Sequence, residues 1–516
     1  MLAYIIRRLG IGVIILFGSS FILYNMAAYS GDPLEELRLS QDPKAQQLIF
    51  ALTRDLNLDV PPPLRYFIWL RGVLTLDFGS TRDAREVSDA LALAIPTSFR
   101  LVIVSTIIAI ILGIGLGIIT ALRQYSRFDY SMTFVAFLLF SLPIFWVAVL
   151  LKQYLAISFN DFLFDPLTGD PGGNIGIVWM VLASLFAGLI TGSVSGGDRK
   201  RYWTLFGSAA VVTFCVFFFL DATRWFTDPY LGPVGLLIFG VGIAFGITQL
   251  SVGVSNKPAL YASLTMAGLG FLTWFPMQIV FEWPNRRFLY PGLLVFTIGI
   301  AIAASYYFAK VDRRAVVRTT VITAVLISIV MFFDRMLRSF SAYARTDAVN
   351  FRPVPTTGQT NALLERNNFW FNMLDVALHL VLPTLALLLI SFAGYVRFSR
   401  GTMLEVLNQD YIRTARAKGL PERTVIMRHA FRNTLIPIAT IMVGDIVGVI
   451  GGAIITERVF GWFGMGTLFN QAIGTFDLNL LMGVGLLGAA LAVLANLIAD
   501  LLYATLDPRI RVGAGK

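Results

Sequence analysis

Stretches of about 20 apolar residues recur from one end of this chain to the other, each long enough to cross a bilayer as a helix. That recurrence makes the expected fold class all-α and polytopic. Composition agrees. The 516 residues are 56% hydrophobic and 14% charged, where soluble domains carry about 25% charged residues. The net charge of +10 could suggest a nucleic-acid partner. The bases, however, sit in short clusters between apolar runs, the pattern of a membrane protein that keeps its cationic connectors on the cytoplasmic side. No nucleic acid is expected as a partner.

Residues 1–8 are basic and an apolar run follows to about residue 28. A signal peptide is the alternative, but no small-residue cleavage site clearly ends the run, so a retained first helix starting in the cytoplasm is expected. Residues 30–95 are polar by comparison and broken by prolines, which fits an external segment with short amphipathic helices, one of them near 63–74. A second helix is expected over 98–122 and a third over 130–158, kinked at Pro143. Six more apolar runs follow, at 176–194, 204–220, 232–251, 259–281, 290–309 and 315–333. Their connectors 196–202 and 310–318 are basic and fall inside; 221–230 and 282–290 fall outside, with Arg286 and Arg287 as the one awkward pair. After an external stretch, 334–370, helices are expected at 374–396, 435–456 and 478–506, and a basic tail ends the chain inside. Charge bias and helix count agree on about twelve spans with both termini cytoplasmic.

The middle block is internally similar. GLLIFGVGIAFG (235–246) and GLLVFTIGIAIA (292–303) match at seven of twelve positions, 57 residues apart. Three repeated hairpins would explain this. Chance similarity between Gly- and Leu-rich membrane helices is the alternative.

Between two of the last apolar runs lies a segment a bilayer would not hold. From Tyr411 to Arg432 it carries six bases (Arg413, Arg416, Lys418, Arg423, Arg428, Arg432) and one acid, Glu422. Lys418-Gly419 reads as a helix end with the glycine in a left-handed cap, and Leu420-Pro421-Glu422 as a restart. Two short helices joined at a glycine corner would lie on the inner membrane face, touching membrane lipid. Val425, Ile426, Ala430 and Phe431 would offer an apolar flank to a partner. A simple amphipathic interfacial helix is the plainer reading of the segment taken alone.

The segment does not stand alone. YIRTARAKGL followed by RHAFRN resembles the cytoplasmic coupling loop of ABC importer permeases of the peptide and nickel branch. Arg413-Thr414-Ala415 stands at that family's Glu-Ala-Ala place and Gly419 at its glycine, while the proline usual thirteen residues later is here Arg432. Flanking stretches resemble the family's first-permease type: MLAYIIRRLG, LNLDVPPPLRYFIWLRGVLTLDFGSTRD, IPTSFRL, SLPIFWVAVLL, HLVLPTLAL, TERVFGWFGMGTL and NLIADLLYATLDPRIR. The resemblance implies a six-helix permease core divided into 1–158 and 372–516, with a coupling loop at 411–437 and an inserted six-helix block at 159–371. It implies transport of peptides or a related small solute, and an ATPase-docking role for Arg413, Thr414, Ala415, Lys418, Gly419, Arg423 and Arg428. Its implied partners are a second, homologous permease, two ATP-binding subunits and an extracytoplasmic solute-binding protein. The chain itself would be no enzyme and need no cofactor.

Asp445 lies deep in a helix where related permeases often have Gln. An acid there usually faces a cavity or a partner, so it either lines the translocation pathway or pairs with another helix. Glu457 and Asp500 lie near helix ends and read as structural, Asn496 and Asp500 share a helix face, and His379 reads as a hydrogen-bonding residue. With one cysteine, Cys215, and two histidines far apart, no metal site is expected, and no GxxxxGK[ST] loop offers ATP a cradle. A twelve-span secondary carrier is the main competing class, but carriers tend to show two similar halves, and here the similarity stays in the middle block. A membrane enzyme is weaker still, because no catalytic constellation stands out.

Overall fold

The computed structural model describes residues 2–506 apart from 40, 42–44, 84, 166–167, 196, 284–285, 311 and 452; the basic tail 507–516 lies outside the described residues. The architecture is helical, and among the described residues the only β pairing is two isolated bridges. Among the described residues ten helices are long and apolar enough to cross a bilayer, or eleven if one bent pair is counted as a span. The first is α1 (Leu2–Ser30), followed by three short helices, Glu35–Leu39, Ala45–Asp55 and Pro62–Val73. The last of these lies against α1, with Tyr66 Oη 2.8 Å from Ser20 Oγ and its ring edge-on to Phe21 and Tyr24.

Helix α2 (Val87–Leu122) is much longer than expected because Pro96 is carried inside it. At 1.5 Å per residue, its 36 residues reach well beyond a hydrocarbon core of about 30 Å. The third apolar run departs further from expectation. It is not one kinked helix but two, α3 (Arg127–Ser141) and α4 (Ile144–Lys152, continuing as helix to Leu163), meeting at 97°. Pro143 forces Leu142 into an extended conformation (φ −83°, ψ 129°), so the helix stops there instead of bending.

Three helical hairpins follow: α5 (Ile177–Ser195) with α6 (Arg199–Ala222), α7 (Gly232–Ser251) with α8 (Lys257–Val280), and α9 (Arg286–Phe308) with α10 (Arg313–Leu337). The similar stretches 235–246 and 292–303 fall on α7 and α9, the first limbs of successive hairpins. The second and third hairpins form a four-helix bundle in which α10 packs on α7, α8 and α9. Asp334 closes one end of the bundle: it accepts Leu231 N (2.6 Å), Gly232 N (3.1 Å) and Trp274 Nε1 (2.7 Å). The first hairpin packs on α3 instead, and α6 has no buried residue.

Besides the short pieces Phe340–Ala344 and Glu422–Thr424, the remaining helices are α11 (Phe369–Leu407), α12 (Asp410–Ala417), α13 (Phe431–Gly451), α14 (Ile454–Phe460), α15 (Met465–Gly474) and α16 (Leu478–Leu506). The run expected at 435–456 is thus divided between α13 and α14, and Gly452 lies outside the described residues. The core is organised on α2 and α11, whose backbones approach closely at Gly113 and Gly117. The turn after α7 lies against the loop after α12, and Arg8 of α1 meets Asp500 of α16, so basic connectors gather at one end of the array. At the other end the segment 345–368 lies over the core: Asn160 and Val354 exchange hydrogen bonds (2.8 and 3.0 Å), and Gly358 N donates to Phe460 O (2.8 Å).

Candidate functional site

The basic loop begins where α11 stops at Asn408 and α12 restarts after Gln409. Helix α12 ends at Lys418, and Gly419 takes φ +71°, a conformation that suits glycine. A Cβ added at Gly419 would touch nothing, so the corner is open and its constraint is conformational. Pro421 then starts the return limb, Glu422–Thr424 followed by a π-helical turn Val425–Ala430 that runs into α13. Arg416 spans the corner, its Nη2 2.7 Å from Glu422 Oε1 and its Nε 3.2 Å from Oε2. That pairing holds the Glu422 carboxyl below the usual glutamate range, so the clasp persists at neutral pH and opens only in acid.

The loop is fixed from beneath. Ile412, Ala415, Val425 and Ala430 are buried against Ala121 of α2 and Met403 and Val406 of α11. The apolar flank expected to meet a partner is therefore largely used within the chain, because the ends of α2 and α11 extend far enough to cover it. Exposed on the loop are Arg413, Thr414, Lys418, Gly419, Arg423 and Arg428, together with the apolar side chains of Tyr411, Leu420 and Met427. Of the seven residues given an ATPase-docking role, Ala415 alone faces inward. Arg413 pairs loosely with Asp410 at 3.4 Å, and Thr414 Oγ1 donates to Asp410 O. Arg423 reaches out of the loop to the end of α7, donating from Nη2 to Gln249 O (3.1 Å) and Leu250 O (3.5 Å).

The acid singled out within the helices has a partner. Tyr395 Oη of α11 donates to Asp445 Oδ2 of α13 at 2.5 Å, and Asp445 is half-buried. Glu457 is fully buried at the corner of α14 and α15, where it accepts Ser98 Oγ (2.6 Å), Thr467 N (2.8 Å) and Thr467 Oγ1 (3.1 Å). Asp500 is ion-paired with Arg8 at 3.0 Å. Asn496 borders a small cavity together with Arg8 and Asp500. His379 Nδ1 lies 2.8 Å from Asp375 O, so it is a satisfied hydrogen-bonding residue.

With that geometry in place, comparison with known proteins decides the class. Residues 113–512 match the family described as binding-protein-dependent transport system inner membrane component. The chain belongs to this family. The permease is 34% identical over 228 residues to the oligopeptide transport system permease protein OppB of Mycobacterium tuberculosis, which is 44% of this chain and 70% of the relative. It is 25% identical over 514 residues to the oligopeptide transport system permease protein AppB of Bacillus subtilis, 99% of each chain. It is 44% identical over 140 residues to the dipeptide transport system permease protein DppB of Escherichia coli, 27% of this chain and 41% of the relative. Membership makes the chain a multi-pass transport component and does not favour the secondary-carrier alternative.

One buried charge pair escaped the sequence reading. Asp129 of α3 is 1% exposed and receives Arg400 of α11 through both oxygens, at 2.6 and 2.9 Å. The available signals were Asp129 just after a helix start and Arg400 in an apolar helix, but 271 residues separate the two.

Proposed function

We propose that this permease is one membrane half of an ATP-driven importer of peptides, and that residues 411–437 are the loop through which ATP-hydrolysing subunits drive it. The observation that carries the reading is the loop's two-faced build: Ile412, Ala415 and Val425 are anchored on α2 and α11, while Arg413, Lys418, Gly419 and Arg428 stay exposed at the tip. A push on the tip is delivered to the two helices that organise the core. Peptide as the cargo follows the relatives, which are named as oligopeptide and dipeptide permeases. The proposed assembly adds a second, homologous permease, two ATP-binding subunits under the loops and an extracytoplasmic binding protein. Nucleotide and loaded binding protein then bias one two-state element from opposite sides. The end carrying the basic connectors is taken as cytoplasmic, with both chain termini on that side. The core is 1–158 with 372–516, and 159–371 is an insertion of three hairpins that leaves the sidedness of the rest unchanged.

The complex is expected to purify with two ATPases and a second permease, and to hydrolyse ATP faster when loaded binding protein is added. Gly419→Trp forces an L-residue into φ +71° at the tip, so peptide transported per ATP falls severalfold. Normal coupling in that variant would overturn the assignment of the loop.

Asp445 is proposed to border the pathway, with Tyr395 holding one oxygen and the other available to a cationic group on the solute. Asp445→Asn keeps an acceptor for Tyr395 and removes the charge. It should reduce uptake of peptides with a free amino terminus more than that of amino-blocked peptides. Equal uptake of both, at the unmodified rate, would reduce Asp445 to a helix-pairing residue.

A further inference from the structure

The inserted hairpins touch the loop. Helix α7 ends at Ser251, and the N–H groups that would continue its ladder are engaged elsewhere: Gly253 N donates to Thr248 O (2.8 Å) and Val254 N to Gln249 Oε1 (3.1 Å). The carbonyls of Gln249 and Leu250 are the acceptors left at the negative end of the helix, and the Arg423 guanidinium occupies them. Gly253, at φ +88°, lets the turn pass beneath it; a Cβ there would lie 3.2 Å from Arg423 Nη1. The end of α7 is itself fixed to α10 through Ser251 Oγ and Thr319 Oγ1 at 2.8 Å. From there α10 runs to Asp334 and on to the segment 345–368, which is hydrogen-bonded to Asn160 and to Phe460 at the opposite end of the core.

We infer that the inserted bundle is a strut: it holds the return limb of the loop through Arg423 and ties the loop's position to the opposite end of the permease core. Arg423, spent on the carbonyls of α7, is then a positioning residue and not the ATPase-docking residue that the resemblance implied, and the insertion tunes how fully a displacement of the loop reaches the far end. The inference rests on the reading of 411–437 as the ATPase-driven loop.

The test uses the complete complex in lipid vesicles, with Arg423→Ala, Arg423→Lys and Arg423→Glu. In Arg423→Ala the ATPases remain bound and hydrolysis continues, while peptide transported per ATP falls about fivefold, the lower end of coupling between distant sites, because the contact is exposed. Arg423→Lys restores most of the ratio by keeping a cation at the helix end, and Arg423→Glu is worse than Ala. A second measurement needs no change at Arg423. Spin labels at the exposed Ser255 and Leu420, with the exposed Cys215 replaced by Ser, should keep their separation when nucleotide is trapped. Labels that move apart, or an unchanged transport ratio in Arg423→Ala and Arg423→Glu, would overturn the strut. Loss of the ATPases from Arg423→Ala, unrelieved by Lys, would instead put Arg423 in the ATPase interface and also overturn it. Gly419→Trp is run alongside: if it too leaves coupling intact, the loop reading has failed and the strut falls with it, whereas uncoupling in Gly419→Trp alone removes only the strut.

Discussion

Gly117→Leu should leave little folded permease. A Cβ at residue 117 would lie 2.7 Å from Ser399 Cβ, 2.8 Å from Val396 O and 3.1 Å from Arg400 N. Two of those are backbone atoms of α11, which cannot swing aside as a side chain would. In lipid the helices gain little from hiding apolar surface from one another, so close backbone packing at small residues supplies much of their attraction. Even Gly117→Ala must shift α2 against α11 where they cross. The larger side chain adds an overpacking cost of about 1–3 kcal/mol or more to the attraction forfeited by that shift. Gly115 provides the control. It lies between Gly113 and Gly117 in sequence, but a Cβ there meets nothing within 4 Å. Gly115→Ala should be neutral, or stabilising by up to about 1 kcal/mol through helix propensity. The measurement is the yield of monodisperse protein in mild detergent and its thermal midpoint. A Gly117→Leu variant as abundant and as stable as Gly115→Leu would show that the close approach of α2 and α11 does not hold the core.

The contrast between Gly115 and Gly117 also shows what a sequence can convey about such a chain. Apolar runs report that a helix exists, because the bilayer demands both length and hydropathy, and the runs singled out correspond to helices. They do not report where a helix stops. Helix α2 extends beyond its apolar run at its start, through 87–97, and α11 at its end, through 397–407, where Met403 and Val406 form much of the seat of the basic loop. The corner at Gly419 was legible because glycine and proline act on their own backbone, so a local signal suffices. Pro143 was legible as a disruption, but the 97° angle depends on what each half packs against. Pairings across the chain gave no local signal. Arg423 looked like one more base on a solvated loop; its acceptors are carbonyls 174 and 173 residues away. The expected apolar flank was correctly composed but wrongly assigned to a partner, since composition cannot tell an intrachain surface from an interface.

The largest electrostatic effect should come from Arg400. Its guanidinium grips both oxygens of Asp129, which also accepts Tyr125 N (3.1 Å) and Thr133 Oγ1 (3.3 Å) and has almost no exposed surface. The pair joins α3 to α11 beside the turn that leads from α2, so it sets how the bent pair α3–α4 meets the core. Arg400→Met removes the cation and leaves the carboxylate buried. Breaking a buried pair on one side costs about 3–5 kcal/mol; the lower end applies here, because the Arg400 side chain keeps 26% of its surface open. Asp129→Asn should be milder, since the amide oxygen still accepts a hydrogen bond and the freed guanidinium is partly solvated. The double variant Asp129→Asn with Arg400→Met should recover much of what Arg400→Met loses, because no unpaired charge remains. Thermal midpoints of the four proteins in one detergent give the cycle directly. Additive losses would mean that the two side chains act independently. A double variant more stable than Arg400→Met alone would mean that much of the cost lies in the stranded carboxylate rather than in the loss of the pair's attraction.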